Sequence, residues 1–309
     1  MDQLRNHPLY QKHNIDSAMN SLWEFYKKNF LVLFVVSFVM SLAMQYLSTF
    51  VNMKDLQSVT DPMEIFEKLK GYIWPMILVS LVSLFFSTIL HYYVIYYPID
   101  RENNIITSAI KSLKYFVPYL IIIILLAFAG SFAIALGLLV FIIGVFFSAL
   151  YVMTLYLFIL PVLMIEGPNI GNAIKRVFKL AHRGIWSNIS WVAVILVLMI
   201  VISVIFSGLI LLPFSGSFFK TLANPENVTS LLDYTKNPLY MVLSALANAL
   251  TFPIMPIFAC ILYFNGKAGE EQIQSGIPAE PEDKKVKVED LYAKPYSEEH
   301  PDNPDNHGK

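Results

Sequence analysis

Charge is scarce in this sequence, and cysteine scarcer still. Only 15% of the 309 residues are charged, where a soluble domain carries roughly a quarter. The single cysteine, Cys260, sits in an apolar run and excludes an intrachain disulfide framework. A net charge of −1 provides no basic field, so nucleic acid is not expected as a partner. The first 28 residues are polar and lack the short apolar stretch and cleavage site of a removable signal peptide, so none is expected. What the chain has in quantity is apolar surface: 56% of its residues are hydrophobic and 14% aromatic. They come in uninterrupted runs, a pattern that a single soluble core does not explain.

A transmembrane helix needs about 20 apolar residues to cross some 30 Å of hydrocarbon. Residues 29–53, 71–99, 184–219 and 237–266 contain no Asp, Glu, Lys or Arg, and each supplies one span. Residues 115–165 are uncharged throughout. At about 1.5 Å per residue that run is more than twice the bilayer thickness, so it folds back on itself. A turn near Gly137 makes it two spans. The expected fold is an all-α, integral membrane six-helix bundle with spans at about 29–51, 72–97, 115–136, 139–165, 187–213 and 238–264.

Lysine and arginine set the expected orientation. With six spans, the N-terminal segment, the 100–114 and 166–183 loops and the C-terminal tail share one side. That side holds seventeen of the 22 basic residues and the other holds five. The asymmetry predicts a multi-pass protein of the cytoplasmic membrane with both termini in the cytoplasm. Five spans would divide the basic segments between sides and erase the bias.

Each segment ahead of an odd-numbered span carries a related phrase: Asn14 to Leu22 around Ala18, Asn104 to Leu113 around Ala109, and Asn169 to Val177 around Ala173. A polar residue able to cap a helix precedes the alanine, an apolar residue follows it, and another comes three later. The third copy is the clearest amphipathic helix. Ile170, Ile174, Val177, Phe178, Ala181 and Ile185 fall on one face, with Asn172, Lys175, Arg176, Lys179, His182 and Arg183 on the other. Such a helix suits the headgroup zone. The predicted architecture is therefore a threefold repetition of an interfacial helix followed by a transmembrane hairpin. Lys175, Arg176, Lys179, Arg183 and Glu166 are the candidate lipid-headgroup contacts. The plainer reading makes each short helix a device for setting the entry angle of the next span.

No charge lies inside a predicted span, which argues against an ion-coupled transporter or an intramembrane protease. Uncharged polar residues, in contrast, are ordered in single stripes. Ser37, Ser41, Gln45 and Ser48 mark the first span, Ser80, Ser83, Ser87 and His91 the second, and Ser244, Asn248 and Thr251 the sixth. Ser41, Gln45, Ser83, Ser87, His91 and Asn248 are the candidate polar bundle interior. They serve either to pack helices closely through hydrogen bonds or to line a cavity for a headgroup or small solute. His91 lies among Tyr92, Tyr93, Tyr96 and Tyr97, which suggest an interfacial aromatic belt. Gly130, Gly137 and Gly144 are spaced by seven and offer a close-packing face or turn residues. Pro253 and Pro256 predict a kink in the sixth span. The loop at 214–236 includes the sequon Asn227-Val228-Thr229, a pattern frequent by chance. Residues 266–309 hold eleven acidic and six basic residues and five prolines, and they predict a disordered tail.

The stretch from Leu160 through Glu166-Gly167 and Ala173-Ile174-Lys175-Arg176 to Trp186 resembles a large bacterial group of six-span proteins. That group includes the membrane domain of glycerophosphoryl diester phosphodiesterase, and most of its members have no assigned role. Leu262-Tyr263-Phe264 is similar to the group's closing phrase, although Asn265-Gly266-Lys267 stands where an Asp-Leu-Arg step is common. The resemblance implies that Glu166 and Arg176 are pattern residues, paired structurally or binding a headgroup together. In phosphodiesterase members, catalysis lies in a separate soluble barrel. The tail after residue 266 cannot form one, so that activity is not implied. The function expected from the sequence is a non-enzymatic membrane protein that interacts with lipid or acts as a scaffold. Membrane lipids are the expected partners, with a protein docked on the cytoplasmic helices or tail as a further one. No catalytic, metal or cofactor residues are assigned. A channel or carrier for a small or amphipathic solute is the alternative, and a lipid-modifying enzyme the third.

Overall fold

The computed structural model describes residues 2–50, 61–215 and 237–274, and every regular element among them is a helix. A short α1 (Asp2–Arg5) and α2 (Ile15–Lys28) precede α3 (Phe30–Ser48), the first span. Then come α4 (Pro62–Tyr96), α5 (Ile105–Leu138) and α6 (Phe141–Glu166), the short α7 (Ile170–Arg183) and α8 (Ile185–Leu211). The sixth crossing is a bent pair, α9 (Pro238–Thr251) and α10 (Ile254–Gln274). Six stretches are long and apolar enough to cross a membrane, so the chain is a multi-pass membrane protein. Each span packs on its chain neighbours, and α9 returns to α3, which closes the ring.

The helices overrun the predicted spans where the sequence turns polar. α4 begins at Pro62, capped by Asp61, and carries Glu64, Glu67, Lys68 and Lys70 in turns expected to be loop. α10 continues to Gln274, nine residues into the segment expected to be disordered. A second compact unit starts at Glu270, and its described part is the last turn of α10. The sequon at Asn227 and the tail beyond Gln274 lie outside the described residues.

The three phrases fold alike at their starts. Asn14, Asn104 and Asn169 each accept a hydrogen bond from the backbone N–H three residues on, at 2.8, 3.0 and 3.0 Å. Counted from the cap, positions four, eight and eleven are buried in every copy: Ala18, Leu22 and Phe25; Ser108, Ser112 and Tyr115; Ala173, Val177 and Leu180. This corrects the second copy by one residue. Ser108, not Ala109, is the counterpart of Ala18, because the cap sets the register. Nor is the second phrase a separate helix. α2 ends at Asn29, whose side chain donates to Phe25 O (2.9 Å), and α7 ends at Gly184, where Asn188 donates to Leu180 O and Ala181 O. The equivalent position in the second copy is Tyr119, which ends nothing, and α5 runs on through the membrane.

The turn between α5 and α6 falls at Leu139–Val140. Its left-handed residue is Phe141 (φ 60°), not a glycine. Gly137 serves close approach: a β-carbon there would lie 2.6 Å from Ser148 Oγ and 2.7 Å from Gly144 O. A Gly130 β-carbon would meet Val152 at 3.0 Å, so all three heptad-spaced glycines face the hairpin partner. The sixth span is interrupted at Phe252–Pro253, whereas Pro256, also expected to kink it, lies within α10. The break frees Leu250 O, which accepts a hydrogen bond from the Tyr26 hydroxyl of α2 at 2.9 Å.

Candidate functional site

The dense core lies at the end of the bundle that carries α2 and α7. Leu155 to Met164 of α6 and Ile257 to Phe264 of α10 are almost wholly covered. Tyr92 and Tyr93 are buried there as well, so they are core residues and not the aromatic belt expected. The exposed tryptophans near this end are Trp23 and Trp186.

α6 stops at Glu166 for two local reasons. Gly167 takes φ +116°, a conformation that favours glycine, and Pro168 offers no N–H to Met164 O. The Tyr96 hydroxyl donates to that carbonyl instead at 2.6 Å, with Tyr115 at 3.3 Å. Glu166 then becomes a junction. Its Oε1 accepts from Arg176 Nε of α7 at 2.7 Å and from the Tyr263 hydroxyl of α10 at 2.9 Å. The Arg176 and Glu166 side chains are 14% and 22% exposed, so the pair is partly shielded from solvent. Three helices are joined at one carboxylate.

Arg176 therefore does not share the outward face expected of it. Lys175, Lys179 and Arg183 do, together with His182. Arg183 also donates to Gly269 O at 3.2 Å. The opposite side of α7, centred on Ala173, Val177, Leu180 and Ala181, is buried against the bundle, while Phe178 remains 44% exposed. Beside α7, between α5 and α6, runs an apolar groove of about 230 Å³. Ile122, Leu126, Gly130, Val152 and Leu155 line it from the spans, and Ile174, Val177 and Phe178 from α7. Tyr151, also in its wall, places its hydroxyl 3.3 Å from His182 Nε2.

The predicted polar interior is gathered only in part. Ser83, Ser87 and His91 line a cavity of about 200 Å³ with Met40, Tyr156 and the kink residues Phe252, Met255 and Pro256. His91 Nδ1 lies 2.8 Å from Ser87 O. Ser37 and Ser41 are buried, and neither hydroxyl has a hydrogen-bond partner among the described residues. Gln45 and Asn248 are half-buried and stand outside the cavity lining. Glu166, His91 and His182 do not meet in one pocket. Among the described residues no three His, Cys, Asp or Glu side chains cluster as metal ligands would.

Two residues that the sequence did not mark are His7 and His13. The N-terminal segment lays His7 against Phe264, with ring centres 4.8 Å apart. His7 Nε2 donates to Val94 O (3.0 Å), one of the carbonyls that the end of α4 leaves unpaired, and its Nδ1 accepts from Leu9 N (3.1 Å). Burial pulls the His7 imidazole down to about 4, outweighing the bond to Val94. Burial also lowers His13, whose backbone N–H donates to Asn265 Oδ1 at 2.8 Å. A histidine in a polar N-terminal segment carries no sequence signal of such docking. No family model, no curated protein and no solved structure matches this chain.

Proposed function

We propose that this chain is a non-enzymatic membrane protein that binds anionic phospholipid through α7. The observation that carries this is one helix with two lipid-compatible sides. Lys175, Lys179 and Arg183 project from its exposed face, and Ile174, Val177 and Phe178 wall an apolar groove beside them. The cations suit a phosphate ester and the groove suits an acyl chain. The bias of seventeen basic residues to five favours a cytoplasmic location for this end, with both termini there, in a bacterial inner membrane. Membership of the six-span group belongs to the same reading and is supported by contact between Glu166 and Arg176, its two pattern residues. A scaffold role, with a protein partner on the short helices or the tail, is compatible with it.

The test is retention of phosphatidylglycerol by the purified full-length protein, followed by native mass spectrometry. Replacing Lys175, Lys179 and Arg183 together by alanine is expected to weaken it by about tenfold or more, at roughly 1 kcal/mol per cation near a charged surface. Retention equal to the parent protein would reject the reading.

A second reading, a carrier for a small solute, is favoured by the cavity at Ser83, Ser87 and His91 beside the kink of the sixth span. Ser87→Leu would fill that space. Swelling of proteoliposomes in small polyols is expected to slow several-fold in this variant. Swelling no faster than in protein-free liposomes would dismiss the carrier.

A further inference from the structure

The geometry points to a second lipid site, a polar recess that takes a phosphate ester joined to a primary amine, as in the phosphoethanolamine headgroup. It lies at the foot of α3 and does not rest on the reading of α7. The recess has a volume of about 370 Å³ and is lined by Asn6, Ser21, Glu24, Lys28, Asn29 and Arg101, among others. Leu9 and Phe25, both buried, complete its apolar side.

Its depth suits a headgroup. Lys28 and Asn29 directly precede α3, and Tyr97, Pro98 and Arg101 follow the end of α4, so the recess opens where the apolar spans begin. Just inside that level, Phe30 and Leu31 are 39% and 71% exposed, a surface on which acyl chains can lie.

Its charges suit a zwitterion. Lys28 and Arg101 present two cations and Glu24 one carboxylate. Glu24 and Lys28 stand four residues apart on α2, a spacing that normally closes an ion pair. Glu64 and Lys68 close it at 3.2 Å. Among the described residues Glu24 and Lys28 have neither an ion pair nor a side-chain hydrogen bond, and both line the recess. The Arg101 guanidinium carbon lies over the Tyr97 ring, 4.6 Å from its centre, a cation–π contact that uses the ring face and none of the N–H groups an acceptor would take. A phosphate alone would meet repulsion from Glu24, and an amine alone would meet two cations. A ligand carrying both groups satisfies all three.

The test uses delipidated full-length protein with phosphatidylethanolamine, phosphatidylglycerol or phosphatidylcholine of matched chains, with occupancy read by native mass spectrometry. Phosphatidylethanolamine is expected to bind best, since a trimethylated amine cannot donate to Glu24. Glu24→Gln is expected to weaken phosphatidylethanolamine about tenfold and to leave phosphatidylglycerol unchanged or tighter. Arg101→Ala is expected to weaken both lipids, and Arg101→Lys less so. Competition by free phosphoethanolamine would assign a soluble source of the same chemistry, and its failure to compete would assign the membrane lipid; either supports the site. Equal occupancy by all three lipids in the parent protein would overturn it, whether or not the variants fold. So would a Glu24→Gln protein that treats the two phospholipids as the parent does.

Discussion

Glu166→Ala is expected to lower the stability of the bundle by about 2 kcal/mol, the scale of the charge-assisted hydrogen bonds lost at a partly covered carboxylate. The loss has two parts. Arg176 keeps its charge in a partly shielded site, and the Tyr263 hydroxyl loses its acceptor. Glu166→Gln retains an oxygen for Tyr263 and is expected to lose less. Adding Arg176→Met to Glu166→Ala removes the cation that faced the carboxylate and is expected to recover part of the loss, so the two effects are not additive. Unfolding in a fixed detergent, followed by circular dichroism, measures all four proteins. A change below about 0.5 kcal/mol for Glu166→Ala, the size of an ordinary surface substitution, would show that the junction does not hold the three helices together.

Acid should loosen the N-terminal segment before it touches the spans. The unfolded chain holds His7 near 6.5 and the folded one near 4. Between these values the unfolded state binds a proton that the folded state excludes. The contribution of His7 is therefore fully present above pH 6.5, falls as the pH drops, and is gone below about 4. Its total is about 3 kcal/mol, at up to 1.4 kcal/mol per pH unit. Geometry supplies the reason. A proton on Nδ1 would face the Leu9 N–H, two donors against each other, in a site closed by Phe25 and Phe264. His13 is lowered in the same direction and adds slope of the same sign. Protection from hydrogen exchange across residues 2–14, relative to the intrinsic rate at each pH, is expected to fall steeply between pH 6 and 4, and His7→Gln, which can still donate to Val94 O, is expected to remove most of that fall. A parent protein with pH-independent protection there would refute the assignment.

Much of the local structure was legible because its causes are local. Long uncharged runs have no favourable solvent except hydrocarbon, so six crossings follow from composition and length. Asn14, Asn104 and Asn169 cap helices through the backbone three residues away. Pro253 bends the sixth span because it lacks a donor. The register of the second phrase is not legible for a physical reason: matching alanine with alanine follows residue identity, whereas the cap follows hydrogen bonding, and it buries Ser108.

Other features depend on distance along the chain being short in space. Glu166 meets Tyr263 across 97 residues, and His7 meets Val94 across 87. Such bonds leave no periodicity to read. Hydropathy is equally silent on which span stands inside. The fifth span is the more apolar, yet only 6% of its most apolar stretch is buried, against 67% for the sixth. Lipid tails and leucine side chains are alike as solvents, so an apolar helix is content against either. Residue chemistry therefore settled that these helices leave water. Packing alone, through glycines that admit a neighbouring backbone and tyrosines that find a stray carbonyl, decided which of them the others enclose.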